Sequence, residues 1–300
     1  MPAKKRPFEH DPAEVGSPLG PSSAEIAAWP AQLLKDLEVD SPANTAMLKG
    51  AFQTGLQVSS DWSGMRTPET GLEAVRALLD PMGPLSMVLQ YVYSCDNADA
   101  PTAVCLDGLV PADHHFTDIA GRVPTHVQAR LDEMEAQMPS VQKGMNAEDK
   151  NGVLKERSEA YKAMACFMLK ECERGWSACA EKAVESLGRD PKQPAQSLCM
   201  GLCARHHLTQ CSVGFDPSMI SINIAGATCV GFSPYGAHAG TGHESMRVYH
   251  TWAAGQRVLK PKVIVFECSH RFPKDRLIWW FEDLYHICFY DHPGRVSFLR

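Results

Sequence analysis

Long hydrophobic runs are absent from this sequence of 300 residues. Its apolar stretches, such as VIVF at 263–266 and LIWWF at 277–281, are far shorter than the roughly 20 residues that a membrane helix needs. No charged segment followed by an apolar one opens the chain, so we expect neither a secretory signal nor a membrane partner. An excess of positive charge is also missing, since 29 Lys and Arg stand against 35 Asp and Glu. This balance argues against wholesale coating of nucleic acid but is compatible with a local basic cleft.

The cysteines lack the compact spacing of a disulfide framework. Eleven of them, an odd number, are spread along the chain, which predicts reduced thiols in an intracellular compartment. A hydrophobic content of 44% with 21% charged residues predicts a globular protein with one large core or two modest ones.

The N-terminal part of the chain has a different composition from the rest. Residues 1–24 are rich in Pro, Gly and Ser without a periodic apolar face, which predicts a mobile tail. Pro30 suits the first turn of a short helix over 30–38, so we assign 1–50 to a tail and a short helix. The KKRP stretch at 4–7 is either a nuclear import signal or a solvated tail. We therefore expect the nucleus or the cytoplasm, with preference for the nucleus.

From residue 51 to residue 300 the pattern alternates between strands and helices. Apolar runs predict five strands, the first followed by a helix at 69–79; the strand segments are 55–64, 86–96, 114–121, 218–229 and 260–269. This order predicts an α/β, Rossmann-like, doubly wound and mostly parallel sheet, with ligands at the carboxyl ends of the strands. The charged helical patterns over about 125–210 predict a helical insertion that is available to a protein partner.

One cysteine stands out by its place in the pattern. Cys229 follows a strand and precedes a glycine-rich turn in IAGATCVGFSPYG, at 224–236. A thiol at the mouth of such a turn faces a cleft, where a nucleophile is useful. The alternative is a buried structural cysteine, because cysteine is among the most often buried residues.

Taken in order, the ends of the five predicted strands resemble the motifs of the cytosine-5 methyltransferases, which act on DNA or RNA with S-adenosylmethionine. DWSGM at 61–65 is similar to the first motif, SCDNAD at 94–99 to the second and FTDIAG at 116–121 to the third. The resemblance implies a sheet of the class I methyltransferase type. It also implies that S-adenosylmethionine is bound by residues at the first three strand ends, namely Trp62, Gly64, Asp96, Asp118 and Ile119.

The last two strand ends resemble the catalytic motifs of the same family. GATCVGFSPYG is similar to the loop that carries the nucleophile, and VIVFECS to the strand end that carries an acid. The resemblance implies that Cys229 adds to cytosine C6 while Glu267 acts near N3, with methyl transfer to C5 of nucleic acid, DNA being preferred over RNA. Ser233 in the catalytic loop and Arg271 in a basic segment are the expected nucleic-acid contacts.

The sequence also departs from the family pattern. Arg66 and Thr67 replace a double glycine, Thr228 replaces the proline before the nucleophile, and Val230 replaces the glutamine after it. These differences motivate a second hypothesis, in which the sheet is a catalytically inactive binding or scaffolding module.

Several of the proposed site residues have ordinary structural alternatives. Gly64 is also explained by a turn. Asp96 and Asp118 could equally be helix caps, and Glu267 a solvated carboxylate at a strand end.

A group of thiols and imidazoles lies near the end of the predicted insertion. Cys199, Cys203, His206, His207 and Cys211 could bind zinc, but their C-x3-C and H-H-x3-C spacing is not a standard one. We favour helical packing of small thiols beside solvated histidines. The sequence-based prediction is therefore that no metal is bound.

Overall fold

The computed structural model describes residues 41–62, 67–79, 88–107, 112–174, 197–207, 209–227, 230–232, 239–269, 271–290 and 295–299. Within these ranges, no helix combines the length and the hydropathy that a membrane span requires. The predicted tail over 1–24 and the predicted helix over 30–38 lie outside the described residues, as do Gly64, Cys229 and Ser233.

The described elements alternate between strands and helices. The strands are β1 (Leu56–Asp61), β2 (Leu89–Cys95), β3 (His114–Phe116), β4 (Ser197–Cys203), β5 (Thr209–Gly214), β6 (Ile220–Gly226), β7 (Val263–Glu267), β8 (His286–Tyr290) and β9 (Arg295–Leu299). The helices are α1 (Pro42–Thr54), α2 (Thr67–Leu79), α3 (Asp99–Asp107), α4 (Thr125–Ala136), α5 (Ala147–Glu173), α6 (Ser245–Leu259) and α7 (Lys274–Phe281).

All of these strands belong to one sheet, in the order β5-β4-β3-β2-β1-β6-β7-β9-β8. The central strands β3, β2, β1, β6 and β7 pair in parallel, whereas β4–β5 and β9–β8 form antiparallel pairs at the two margins. Chain order reverses between β1 and β6, which creates the switch point of a Rossmann-like, doubly wound fold.

Helices cover both faces of the parallel centre. On one face, Leu56, Val58 and Ile222 pack in clusters with residues of α1 and α2. The other face is covered by a larger apolar cluster that contains residues of α4, α5, α6 and α7. In β6 the apolar Ile222 is only partly buried, while Asn223 on the α6 face is fully buried. The α6 side of the sheet therefore encloses polar groups that need internal partners.

The sequence pattern predicted the centre of the sheet better than its margins. All five predicted strands and the helix at 69–79 are confirmed, as are helices within the insertion (α4 and α5). The prediction that the insertion is helical through residue 210 is wrong, because β4 and β5 form an antiparallel ribbon joined by a 3-10 turn at Ala204–His206. Helical packing of the thiols between Cys199 and Cys211 is wrong for the same reason. The sequence SLCMGLC of β4 contains no β-branched residue, so propensity did not indicate a strand.

Candidate active site at the carboxyl edge of the sheet

The ends of the parallel strands meet along one edge. Asp61 at the end of β1 is in register with Cys95 of β2 and with Ala225 of β6. Gly226 of β6 is in turn in register with Glu267 of β7. Because the switch point lies between β1 and β6, the residues that follow these strands border the crevice where such folds bind ligands.

Trp62, the first residue after β1, has an unusual backbone conformation. Its φ is 53°, in the left-handed region that bulky side chains rarely occupy. Its ring packs against Trp252 of α6 with 6.0 Å between ring centroids. Backbone strain of this kind persists only where the surroundings enforce it, and it concentrates at functional sites.

A cleft opens beside Trp62 at the switch point. It has a volume of about 90 Å³ and is lined by Trp62, Asn97, Ala227, Phe232, Ser245, Met246, Val248, Tyr249 and Phe272. The lining comes from the loops after β1, β2 and β6, from the start of α6 and from Phe272 after β7. Its position at the switch point is where such folds bind ligands, but its volume is well below the roughly 300–1,000 Å³ of ordinary ligand pockets.

Glu267 lies directly across from the turn that leads to Cys229. The Ala227 N–H donates to the Glu267 carbonyl at 3.1 Å. A Cβ placed on Gly226 would lie 3.7 Å from Glu267 Oε2 and 3.9 Å from the Trp62 carbonyl oxygen. The Glu267 side chain is exposed and is not among the residues that line the cleft. Cys229 lies three residues after Gly226 in the chain.

Asp96 and Asp118, the two candidate cofactor carboxylates, also form local hydrogen bonds with the backbone. Asp96 Oδ1 accepts from the Ala98 N–H at 3.0 Å, and Asp118 Oδ1 accepts from the Ala120 N–H at 2.8 Å. Each bond reaches the amide two residues further along the chain, and the N-cap residue of the 3-10 turn after Asp118 is Ile119, so these bonds are Asx turns and not helix caps. A carboxylate offers about four acceptor positions, so these bonds do not prevent ligand binding.

The remaining sequence-predicted site residues differ in accessibility. Arg271 is exposed in the turn after β7, as a contact with nucleic acid requires. Ile119 is only 5% exposed and belongs to the core, so its side chain is already packed against the protein.

Sequence reasoning missed a buried ion pair directly beneath this edge. Asp61 and Arg122 are both fully buried and paired. Asp61 also accepts hydrogen bonds from Tyr93 Oη at 3.1 Å, Asn223 Nδ2 at 2.9 Å and Gln256 Nε2 at 3.1 Å. Burial opposes the charge of Arg122, but Asp61 outweighs it and raises the pKa of the guanidinium. The network ties β1, β2 and β6 to α6 just below the cleft.

The network reaches the cleft through Trp252 and affects a nearby thiol. Trp252 Nε1 donates to Asn223 Oδ1 at 3.2 Å, and its ring contacts Trp62.

Burial raises the pKa of Cys95 to about 12, so this thiol at the end of β2 is a poor nucleophile. The sequence does contain one indication of this network, the polar residues SSD at 59–61. They end a strand that pairs with a neighbour on both sides, so their side chains need partners inside the protein.

A larger open groove of about 600 Å³ shares Ser245 and Val248 with the cleft. It is also lined by Val230, which follows Cys229 in the chain, and by Asp132, Glu135, Glu244 and Arg247. Arg247 is paired with both Asp132 and Glu135. Carboxylates thus dominate this wall, which disfavours the approach of a polyanion from the side of α4.

A separate cluster lies at the β3 margin. The structure brings Cys203, His206 and Cys211 together with His114 of β3. The sequence did not indicate His114 as a member of this group, because it lies about 90 residues before the other three. His207 is exposed and is not part of the cluster. Strands β2 and β1 separate β3 from the switch point, so this cluster is distinct from the cleft.

No protein-family model and no curated protein matches this chain. The interpretation of its function therefore depends on the geometry of the site and on the motifs themselves.

Proposed function

We propose that this chain is an S-adenosylmethionine-dependent methyltransferase domain of the cytosine-5 type, which acts on nucleic acid, with DNA preferred. The observation that carries the proposal is the convergence of the motif residues at one edge of the sheet. Glu267 Oε2 and the Trp62 carbonyl oxygen lie 3.7 and 3.9 Å from the position that a Cβ on Gly226 would occupy, and Asp96 and Asp118 follow β2 and β3.

The strand order supports the methyltransferase type of the fold. On the β7 side, the antiparallel strand β9 lies between β7 and β8. This departs from the parallel order of dinucleotide-binding folds and is the order expected of a class I methyltransferase sheet.

The residues at the first three strand ends fit S-adenosylmethionine. A carboxylate after the second strand is suited to ribose hydroxyls, and Asp96 holds that place. Asp118, exposed after β3, can accept from an adenine amine. The aromatic face of Trp62 suits a sulfonium cation. When bound, S-adenosylmethionine supplies the activated methyl group.

In this proposal the chemistry on the base is performed by the residues after β6 and β7. The Cys229 thiolate adds to C6, which makes C5 nucleophilic. Glu267, in its acid form, donates a proton to N3 and so neutralises the negative charge that develops there. After methylation a water molecule takes the C5 proton, the double bond between C5 and C6 re-forms, and the thiolate leaves C6 while N3 returns its proton to Glu267. A base within a duplex must first be flipped out, at a cost of a few kcal/mol.

The charge distribution suggests how nucleic acid would approach. The wall near α4 is acidic, whereas the segment after β7 carries the exposed cations Arg271 and Lys274. Phosphates are better accommodated on that basic side. Salt-dependent binding that weakens in Arg271→Ala is the expected result.

Cofactor binding is tested by calorimetry with S-adenosylmethionine. Asp96→Ala should weaken binding roughly ten- to a hundredfold, since a charge-assisted hydrogen bond contributes about 1.5–3 kcal/mol. The matched control is Asp99→Ala, an exposed carboxylate in the first turn of α3, which should bind as the wild type does. Equal affinity of all three proteins would contradict the assigned pocket.

The nucleophile is tested with an oligonucleotide that contains 5-fluorocytosine. Fluorine at C5 cannot leave as a proton does, so the covalent adduct with Cys229 should accumulate in the presence of S-adenosylmethionine. Cys229→Ala should abolish the adduct, while Cys166→Ser, which alters an exposed thiol on α5, should retain it. Cofactor binding without an adduct in the wild type would favour the inactive binding module instead.

A further inference from the structure

Four side chains with metal-binding chemistry meet beside the β3 margin. They come from β3 (His114), the end of β4 (Cys203), the 3-10 turn (His206) and β5 (Cys211), and one potential ligand atom of each lies within 4.8 Å of the others. In a tetrahedral site with Zn–S of about 2.3 Å and Zn–N of about 2.0–2.1 Å, neighbouring ligand atoms are about 3.3–3.8 Å apart. A contraction of about 1–1.5 Å or less would close the cluster around an ion.

We propose that His114, Cys203, His206 and Cys211 bind a structural zinc ion. Two thiolates and two imidazoles form one of the usual ligand sets of structural zinc. Cys203-x2-His206 and His206-x4-Cys211 have the short spacings of local zinc ligands. Because the protein supplies all four ligands, no position is left for a catalytic water, so the site is structural rather than catalytic.

The environment of the cluster is that of a built site. Cys203 is fully buried, and the buried His114 Nδ1 has no hydrogen-bond partner among the described residues. Cys211 Sγ lies 3.3 Å from His206 Nδ1, close to one edge of a zinc tetrahedron. A buried ring nitrogen without a partner is costly, and an ion bound by the cluster gives these groups a common partner.

The ion would have a definite structural role. Among the described residues, β4 is in register with β3 only through Phe116 and Cys203. The β4–β5 ribbon is therefore weakly attached to the sheet by backbone hydrogen bonds. A zinc ion held by β3, β4, the turn and β5 would fasten the ribbon to the parallel centre.

The test is the metal content of the full chain purified without chelators, measured by mass spectrometry. Stoichiometric zinc is expected in the wild type. Since second-shell changes alone cost about 10–100-fold in metal affinity, loss of a ligand in Cys211→Ser or His206→Gln should remove most of the zinc. His206 is exposed, so this variant tests the site without disturbing the core.

Two matched variants serve as controls. His207→Ala removes the neighbouring exposed imidazole, and Cys166→Ser removes an exposed thiol on α5; both should retain zinc. Replacement of zinc by cobalt should give the visible bands of a tetrahedral ion with a thiolate charge-transfer band, and Cys211→Ser should weaken that band.

Three results would overturn the proposal. They are a wild-type chain without zinc, zinc content that is unchanged in both His206→Gln and Cys211→Ser, and a disulfide between Cys203 and Cys211 found by peptide mapping of unreduced protein. None of these results bears on S-adenosylmethionine binding or on Cys229, so the two proposals fail independently.

Discussion

Each margin of the sheet carries an antiparallel pair of strands, and the two pairs are attached to the parallel centre in different ways. On one side, β9 is in register with β7 from Val263 to Glu267, along the whole strand. On the other side, the described register between β4 and β3 is the single pair of Phe116 and Cys203. The first margin is secured by its backbone ladder, whereas the second depends on side chains, among which we place the zinc cluster. A ribbon with few ladder bonds needs a cross-link of another kind.

The centre should tolerate change less than either margin. Asp61→Ala leaves the buried Arg122 without its counter-ion, and breaking a buried pair in this way costs about 3–5 kcal/mol of folding free energy. Chemical denaturation should show this loss of folding free energy as a single cooperative transition, in which both margins of the sheet unfold together with the centre. Asp113→Ala, which alters an exposed carboxylate near β3, should change stability by less than about 0.5 kcal/mol.

A double variant separates the buried charge from the packing. Arg122→Met added to Asp61→Ala removes the unpaired cation, so part of the lost stability should return. If the double variant is less stable than Asp61→Ala alone, Arg122 has other partners that matter more than the ion pair.

The β7 side should respond to acid through His250 of α6. This buried imidazole accepts a hydrogen bond from Trp280 Nε1 at 2.9 Å, and burial, with a smaller effect of Arg276, lowers its pKa to about 3. The unfolded chain binds this proton below about pH 6.5 while the folded chain does not, so stability is full above that pH and falls as the pH decreases. The slope is about 1.4 kcal/mol per pH unit, or about 2 kcal/mol at pH 5.

His250→Gln isolates this contribution. The amide oxygen can still accept from Trp280 but does not titrate. The difference between the unfolding free energies at pH 7 and pH 5 should therefore be smaller in the variant than in the wild type. Identical differences in the two proteins would show that His250 is not the group responsible.

The β4 margin should be sensitive to the close approach of Gly201 to a second 3-10 turn, Ala120–Arg122, which follows β3. Gly201 has φ of 85°, and a Cβ there would lie 3.3 Å from the Gly121 carbonyl oxygen. Gly201→Ala should cost about 1–2 kcal/mol from its backbone conformation and should also loosen the ribbon. Gly144→Ala has a similar φ of 94° but open space around it, so it carries only the conformational cost. Faster amide exchange in β4 and β5 should distinguish the two variants.

The smallest effect is expected at the ion pair between α6 and the turn after α7. Arg257 donates to both carboxylate oxygens of Asp283, at 2.6 and 2.7 Å, and this hydrogen bonding lowers the pKa of Asp283. The contribution of this ion pair to folding stability is present at pH values above the ordinary pKa of an aspartate, and it is lost as the pH falls through the lowered pKa of Asp283. Because Asp283 is more than half exposed, Asp283→Asn should lower stability by less than about 1 kcal/mol. A larger loss in thermal unfolding would show that the pair is better shielded than its exposure indicates.

The candidate site was partly predictable from the sequence. Asp96, Asp118 and Glu267 each follow an apolar run, and parallel strands bring such residues to one edge. The buried Arg122 was not predictable, because it lies in a short 3-10 turn and its partner Asp61 belongs to another strand. His114 was missed for the same reason, since its neighbours in the cluster come from β4, the turn and β5.

The sequence by itself determined the parallel centre, because strands that are buried on both faces consist of local apolar runs with turn residues at their ends. It also determined which polar residues follow those strands. Only the tertiary structure decided that β4 and β5 form a ribbon, that Asp61 pairs with Arg122, and that His114 joins Cys203, His206 and Cys211. These features depend on contacts between residues far apart in the chain, and local propensity carries no information about such pairs.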